Sequence, residues 1–186
     1  ETMLRDGKAD YIAMARASLA DPDLPKKAKE GRADDIIQCI GCDQGCTGET
    51  AAGNPVNCLA NPHTCKETVY DLSKVEHPKK VFVAGSGVSG LSAAYGAAER
   101  GHHVTVFEAD SEIGGQWIAA AMPPGKTDYN AWIYNHRRLL EEYNAEIRLN
   151  TPLTKEIVEA EKPDAVILAT GSVPLVLPIP GLDNTK

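Results

Sequence analysis

Lys80-Val-Phe-Val-Ala-Gly85-Ser-Gly87-Val-Ser-Gly90-Leu-Ser-Ala-Ala-Tyr-Gly-Ala-Ala-Glu-Arg100 is the stretch that decides the fold. Four mostly β-branched or aromatic residues read as a buried strand, and the alanine-rich run Val88 to Arg100 reads as a helix. Between them stands Gly85-x-Gly87-x-x-Gly90. The first glycine allows a tight turn, the second lets backbone approach a pyrophosphate, and the third lets helix and strand pack closely. The motif alone is weak, and its context strengthens it. His103-Val-Thr-Val-Phe-Glu108 reads as a second strand, and Glu108 falls 23 residues after Gly85, where an acidic side chain can bind ribose hydroxyls. The expectation is a βαβ unit of a parallel α/β sheet that holds a dinucleotide. An acidic Glu108 disfavours a 2′-phosphorylated adenosine, so FAD, NAD or ADP is expected over NADP.

Further along, Glu112-Ile-Gly114-Gly115-Gln116 places a glycine pair just past the second strand. In flavin-binding proteins of this fold such a segment packs against adenosine and pyrophosphate, which makes Gly115 and Gln116 candidates; a plain turn is the alternative. Ala169-Thr170-Gly171 closes an apolar run near Asp164-Ala169 and, with the fingerprint upstream, looks like an FAD-side element contributing Ala169 and Gly171. Trp132, Ile133, His136, Leu139, Leu140 and Tyr143 recur at helical spacing over 128–144, ahead of a strand near Glu146-Leu149.

Upstream the texture changes. Residues 39–76 carry Gly41, Gly45, Gly48, Gly53, Pro55 and Pro62 without sustained periodicity, as expected of an irregular ligand-bearing loop. Cys39, Cys42, Cys46 and Cys58 fall there at the spacing C-x2-C-x3-C-x11-C. One loop can wrap three corners of an iron–sulfur cluster while a distant residue supplies the fourth, and intervening glycines free N–H groups to face sulfur. Structural zinc also takes four thiolates, but usually from two C-x2-4-C knuckles, and only the first pair here has that form. Asp43 after Cys42 rules out a c-type haem site. The x2-then-x3 order is the reverse of the radical-type loop, which further favours a four-ligand electron carrier. Cys65 is expected to be a packed free thiol.

Before the cysteines, Tyr11-Ile-Ala-Met-Ala15 reads as a short buried strand, and Asp23 to Gly31 as a helix with Asp23 as cap, Pro25 in the first turn and Gly31 at the end. Such a strand–loop–helix unit cannot bury its own core. The first residue, Glu1, and this unit give the expectation of an internal fragment.

With 186 residues, 42% hydrophobic and 24% charged, the chain is globular in composition. A net charge of −7 without a Lys/Arg block argues against nucleic acid and anionic membrane as partners. No apolar run reaches the length of a membrane span or a signal peptide, and five cysteines make an odd set for a disulfide framework, so cytoplasm is the expected compartment.

The order of motifs resembles a family. Gly7-Lys-Ala-Asp-Tyr-Ile-Ala-Met-Ala-Arg16, Ala20-Asp-Pro-Asp-Leu-Pro25, Cys39-Ile-Gly-Cys42-Asp-Gln-Gly-Cys46, Cys58-Leu-Ala-Asn-Pro62 and the Gly85 fingerprint are similar, over essentially the whole chain, to the multidomain NADH:flavin oxidoreductases related to old yellow enzyme. These include bacterial dienoyl-CoA reductase, enoate reductases, and trimethylamine and histamine dehydrogenases. The resemblance implies three parts: 1–38 as the end of an FMN-binding TIM barrel, 39–76 as a [4Fe-4S] loop, and 77–186 as the first part of an FAD domain. It also implies that backbone at Ala15 and Arg16 contacts the FMN phosphate, that NAD(P)H is the electron donor, and that catalytic residues lie outside the chain. Two departures stand out. Asp43 occupies a place where relatives often have Asn, and the chain reaches Pro180-Gly-Leu-Asp183 without a second glycine fingerprint.

The resulting expectation is a parent enzyme that relays electrons between NAD(P)H, FAD, the cluster and FMN to reduce an activated alkene of enoate or enoyl-CoA type. Its partners would be that small-molecule substrate, the rest of the barrel and an NAD(P)H domain, and a homo-oligomer is compatible with the sequence. The alternatives are an amine dehydrogenase with structural ADP and a non-catalytic zinc-plus-nucleotide module. His63, His77, His102, His103 and His136 show no catalytic partner pattern and are expected to be solvated or packed.

Overall fold

Four strands make one sheet in the computed structural model, which describes residues 2–173 together with 175, 177 and 179. They are β1 (Lys80–Ala84), β2 (His103–Phe107), β3 (Glu146–Arg148) and β4 (Ala165–Leu168). All three pairings are parallel and the order is β3-β2-β1-β4. In chain order the helices are α1 (Thr2–Arg5), α2 (Ala15–Ala20), α3 (Leu24–Lys29), α4 (Glu49–Ala51), α5 (Val88–Glu99), α6 (Gln116–Ala121), α7 (Tyr129–Glu142) and α8 (Lys155–Glu161).

The quoted stretch folds as its pattern requires. Val81, Val83, Val104 and Val106 point to one face of the sheet and join a core with Leu91, Ala94 and Ala98 of α5. The alanines let the helix lie close to the strands. Phe82 and Phe107 meet with ring centroids 4.8 Å apart, and by the two-residue period of strands they belong to the opposite face. Helix α7 adds Trp132 and Leu140 to the first face, from positions one side of a helix presents together. From β1 the chain builds outward through β2 to β3 and then crosses back to lay β4 against the other side of β1. That reversal is a topological switch point, where open parallel sheets bind ligands beyond the carboxyl ends of their strands.

Several local expectations change. Tyr11-Ile-Ala-Met-Ala15 is not a strand: Tyr11 is 91% exposed, and Ala15 already begins α2. A strand exists only by pairing, and none of the sheet's pairings includes that segment. Asp23 makes no side-chain cap on α3, whereas Gly31 ends the helix in the left-handed region at φ +75°. Arg32 N–H there donates to Lys27 O at 2.9 Å and Gly31 N–H to Ala28 O at 3.2 Å, a Schellman closure. The loop over 39–76 contains a π-helical turn, Gln44–Gly48, followed by α4.

The segment before the cysteines is tied to the one after them. Asp21, 2% exposed, accepts from Lys27 Nζ at 2.7 Å, Ile37 N–H at 2.9 Å and Asp23 N–H at 3.0 Å. Leu19 O accepts from Asn61 Nδ2 at 3.0 Å and Thr64 Oγ1 at 2.8 Å. Such partners offset the cost of taking a carboxylate out of water.

Candidate functional site: a dinucleotide cleft beside a four-cysteine pocket

The cleft at the switch point has a volume of about 720 Å³. Its walls include Gly85, Gly87, Glu108, Gly115, Gln116, Ala169 and Gly171, so seven residues proposed from separate motifs meet in one place. Gly90 stands behind the wall. A Cβ there would lie 1.9 Å from Gly85 O, which is the close helix–strand packing expected of a third glycine. Gly85, at φ +98°, passes Ala169 so closely that a Cβ would sit 2.4 Å from its carbonyl oxygen. Gly87 differs from both: a Cβ there would meet nothing within 4 Å. Its bareness serves whatever enters the cleft.

Helix α5 follows Gly87, which caps it without a side chain. Its first intrahelical bond is Leu91 N–H to Gly87 O, so the N–H groups of Val88, Ser89 and Gly90 have no partner within the helix. Orphan N–H groups and the positive end of the helix dipole suit a pyrophosphate. Glu108 is 8% exposed and held on several sides. Its Oε2 accepts from Ser86 N–H at 2.8 Å and Ser86 Oγ at 2.5 Å, and its Oε1 from Asp110 N–H at 3.0 Å. Burial opposes its charge, but these hydrogen bonds outweigh that penalty and hold the carboxyl below its ordinary pKa. Gln116 Nε2 donates to Ser172 O at 2.6 Å and ties the glycine-pair segment to the chain after β4.

The four cysteines Cys39, Cys42, Cys46 and Cys58 line a second, small pocket with Arg16, Leu19, Asp43, Gly45 and Leu59. All four are half-buried and none is in a disulfide. Local backbone explains the convergence. Gly41 and Asp43 adopt left-handed φ of +63° and +55°, and Gly48 N–H reaches back to Asp43 O at 2.8 Å to close the π turn. π turns of this kind favour functional sites. Gly45 is buried against Asn57, whose N–H donates to Gly45 O at 2.8 Å; a Cβ at Gly45 would come 2.2 Å from Asn57 Oδ1. That contact draws the strip carrying Cys58 onto the loop carrying the other three. Burial pushes the Cys58 thiol up, while the N–H groups of Ala60 and Asn61 pull it back toward thiolate. No three His, Cys, Asp or Glu side chains among the described residues converge on the geometry of a single metal ion.

Arg16 lies at this pocket, where its guanidinium pairs with Asp43; neither it nor Ala15 lines the dinucleotide cleft. Cys65 corrects the expectation of a packed thiol: it is exposed, at φ +58°, and stands apart from the pocket. His136 is buried, stacked on Trp132 with centroids 3.7 Å apart, and pushed by burial to a pKa of about 4. His63 Nε2 faces Glu99 at 3.0 Å, and His102 Nδ1 accepts from Lys79 N–H at 3.0 Å, so these two are also engaged structurally.

Two tryptophans connect the sites, which sequence reasoning did not foresee. Trp117 lines the cleft and packs 5.6 Å from Trp132, whose Nε1 donates to Leu59 O at 3.3 Å beside Cys58. Trp132 showed only as one apolar helix position, and no spacing rule links it to Leu59. Ser86 was visible inside the fingerprint, but as an unassigned x position.

Fold and cleft together define a Rossmann-like α/β protein suited to a nucleotide or flavin cofactor, and the family described as NAD(P)-binding Rossmann-like domain matches residues 83–142. The chain belongs to the NADH:flavin oxidoreductase family related to old yellow enzyme. It is 41% identical to a metal reductase of Desulforamulus reducens, covering 100% of this chain and 28% of that protein. It is 39% identical to a cinnamate reductase of Clostridium sporogenes, covering 96% and 27%. Among solved structures, a 2-naphthoyl-CoA reductase in complex with 2-naphthoyl-CoA superposes with a TM-score of 0.93 at 35% identity, covering 98% of this chain and 28% of that one. The chain thus spans little more than a quarter of the length of the curated relatives it matches. Those relatives are oxidoreductases.

Proposed function

We propose that the chain is the electron-relay segment of a flavin-dependent reductase acting on an activated alkene of enoate or enoyl-CoA type, with NAD(P)H as donor. One observation carries this reading: the four cysteines line a single pocket, and that pocket is joined through Leu59, Trp132 and Trp117 to the dinucleotide cleft. In this reading residues 1–38 belong to an FMN-binding barrel, 39–76 hold a [4Fe-4S] cluster, and 77–186 begin an FAD domain. The C-terminal residues of that last part lie outside the described set.

The donor set fits a cluster. Four half-buried thiols share one pocket, and two backbone N–H groups face Cys58. One tetrahedral zinc would draw its thiolates to within about 4 Å of one another, given Zn–S bonds near 2.3 Å. A multinuclear core takes four thiolates at wider spacing, so iron and sulfide content separates the two. The cleft fits FAD or ADP: Gly87 leaves room for phosphate, the start of α5 offers N–H donors, and Glu108 stays ionised to accept from ribose. Arg16 and Ala15 are the proposed FMN-side contacts. When bound, the flavins would supply two-electron chemistry and the cluster single-electron transfer. The chain's own residues position these groups: Asn57 and Gly45 hold the cysteine strips together, Trp132 fixes the distance to the cleft, and Gln116 keeps the glycine-pair segment against Ser172.

Anaerobic titration of the full-length protein with NADH, followed by electron paramagnetic resonance, tests the reading. The expected result is a reduced-cluster signal that Cys58→Ala removes while FAD is retained. Cluster reduction by an amine but not by NADH, with ADP in the cleft, would assign the protein to the amine-oxidising direction instead.

A further inference from the structure

Ser86 borders the cleft but is fully buried beneath its surface. It uses both its N–H and its hydroxyl on one oxygen of Glu108. A carboxylate has about four acceptor positions, two on each oxygen. Ser86 fills both on Oε2, and Asp110 N–H fills one on Oε1. No more than one position, on Oε1, remains for a ligand.

We infer that Ser86 is a positioning residue that restricts Glu108 to a single hydroxyl of the adenosine ribose, so the cleft reads one of the two ribose hydroxyls and ignores the other. This rests on the reading of the cleft as an adenine-dinucleotide site. A carboxylate free of Ser86 could accept from both hydroxyls, and its discrimination between them would vanish. The hydroxyl of Ser86, beyond its backbone, is what closes Oε2.

The experiment is calorimetric titration of the nucleotide-free full chain with ADP, 2′-deoxy-ADP and 3′-deoxy-ADP. In the unaltered chain one deoxy analogue is expected to bind about tenfold more weakly than ADP, the loss of one hydrogen bond to a charged group, and the other within about twofold of it. In Ser86→Ala the two analogues should fall within about twofold of each other, and Ser86→Thr, which keeps the hydroxyl, should restore the difference. A role confined to stability would weaken all three ligands alike and leave the ratio unchanged. Equal losses, or none, for the two analogues in the unaltered chain would overturn the inference, as would an unchanged ratio in Ser86→Ala. Failure of ADP itself to bind would overturn the nucleotide reading of the cleft, and this inference with it.

Discussion

Gly87 and Gly90 stand three residues apart in one motif and are needed for different reasons. A methyl at Gly90 would collide with backbone, Gly85 O, which cannot yield without moving β1. Gly90→Ala is therefore expected to lower stability by about 1–3 kcal/mol or more and to abolish nucleotide binding. At Gly87 the backbone has an ordinary φ of −70° and the added methyl meets open space. Gly87→Ala should unfold within about 0.5 kcal/mol of the unaltered chain and still lose nucleotide affinity. Urea unfolding read beside calorimetry checks both, and equal destabilisation by the two substitutions would contradict the assignment. His136 supplies a pH signature. Its pKa is depressed from 6.5 to about 4 in the fold, so the unfolded chain takes up a proton first as pH falls. The stabilisation is fully present above pH 6.5 and is lost as pH falls from there through about 4. His136→Phe should flatten that part of the stability curve, measured by melting temperature across the range. The glycines and Glu108 were legible because backbone geometry dictates them locally. The pairing of Arg16 with Asp43 was not, since it joins positions 27 apart through a fold that must already exist.

Helix α7 shows how one element serves both sites. Trp132, 1% exposed, packs on Trp117 at the cleft and donates to Leu59 beside the cysteine pocket. Trp132→Ala is expected to cost about 3–5 kcal/mol in chemical unfolding and to weaken nucleotide and metal retention together. Loss of one without the other would separate the two sites. The unit β1, α5, β2 was readable because its strands are buried on both faces and its glycines are fixed by turn geometry. Helix α6, only six residues after a glycine pair, is too short for periodicity to register. Helix α8 buries no residue and so carries no apolar stripe; its clearest signal is Thr154, whose Oγ1 accepts from Ile157 N–H at 3.4 Å. Tyr11-Ala15 shows the converse: an apolar run becomes a strand only when another strand pairs with it, and no pairing of the sheet includes this one.

At the scale of the whole molecule, the parallel sheet places its cleft at the switch point beside β1, and the cysteine pocket packs against the helices covering the same face. No helix among the described residues is long and apolar enough to cross a membrane. The fold class followed from one glycine motif and its flanking strands, whereas the joining of the two sites depended on contacts between distant segments, such as Leu59 with Trp132. Because substrate groups are proposed to lie in the barrel, the 186-residue chain alone is expected to show little NADH-dependent reduction of any enoate. Stopped-flow mixing of the chain, NADH and cinnamate checks this, with rapid turnover as the contrary outcome. The central claim concerns what the four cysteines hold, and metal analysis after anaerobic purification addresses it directly. The account predicts roughly four irons and four acid-labile sulfides per chain, lost together in Cys58→Ala. One zinc per chain without sulfide would contradict it.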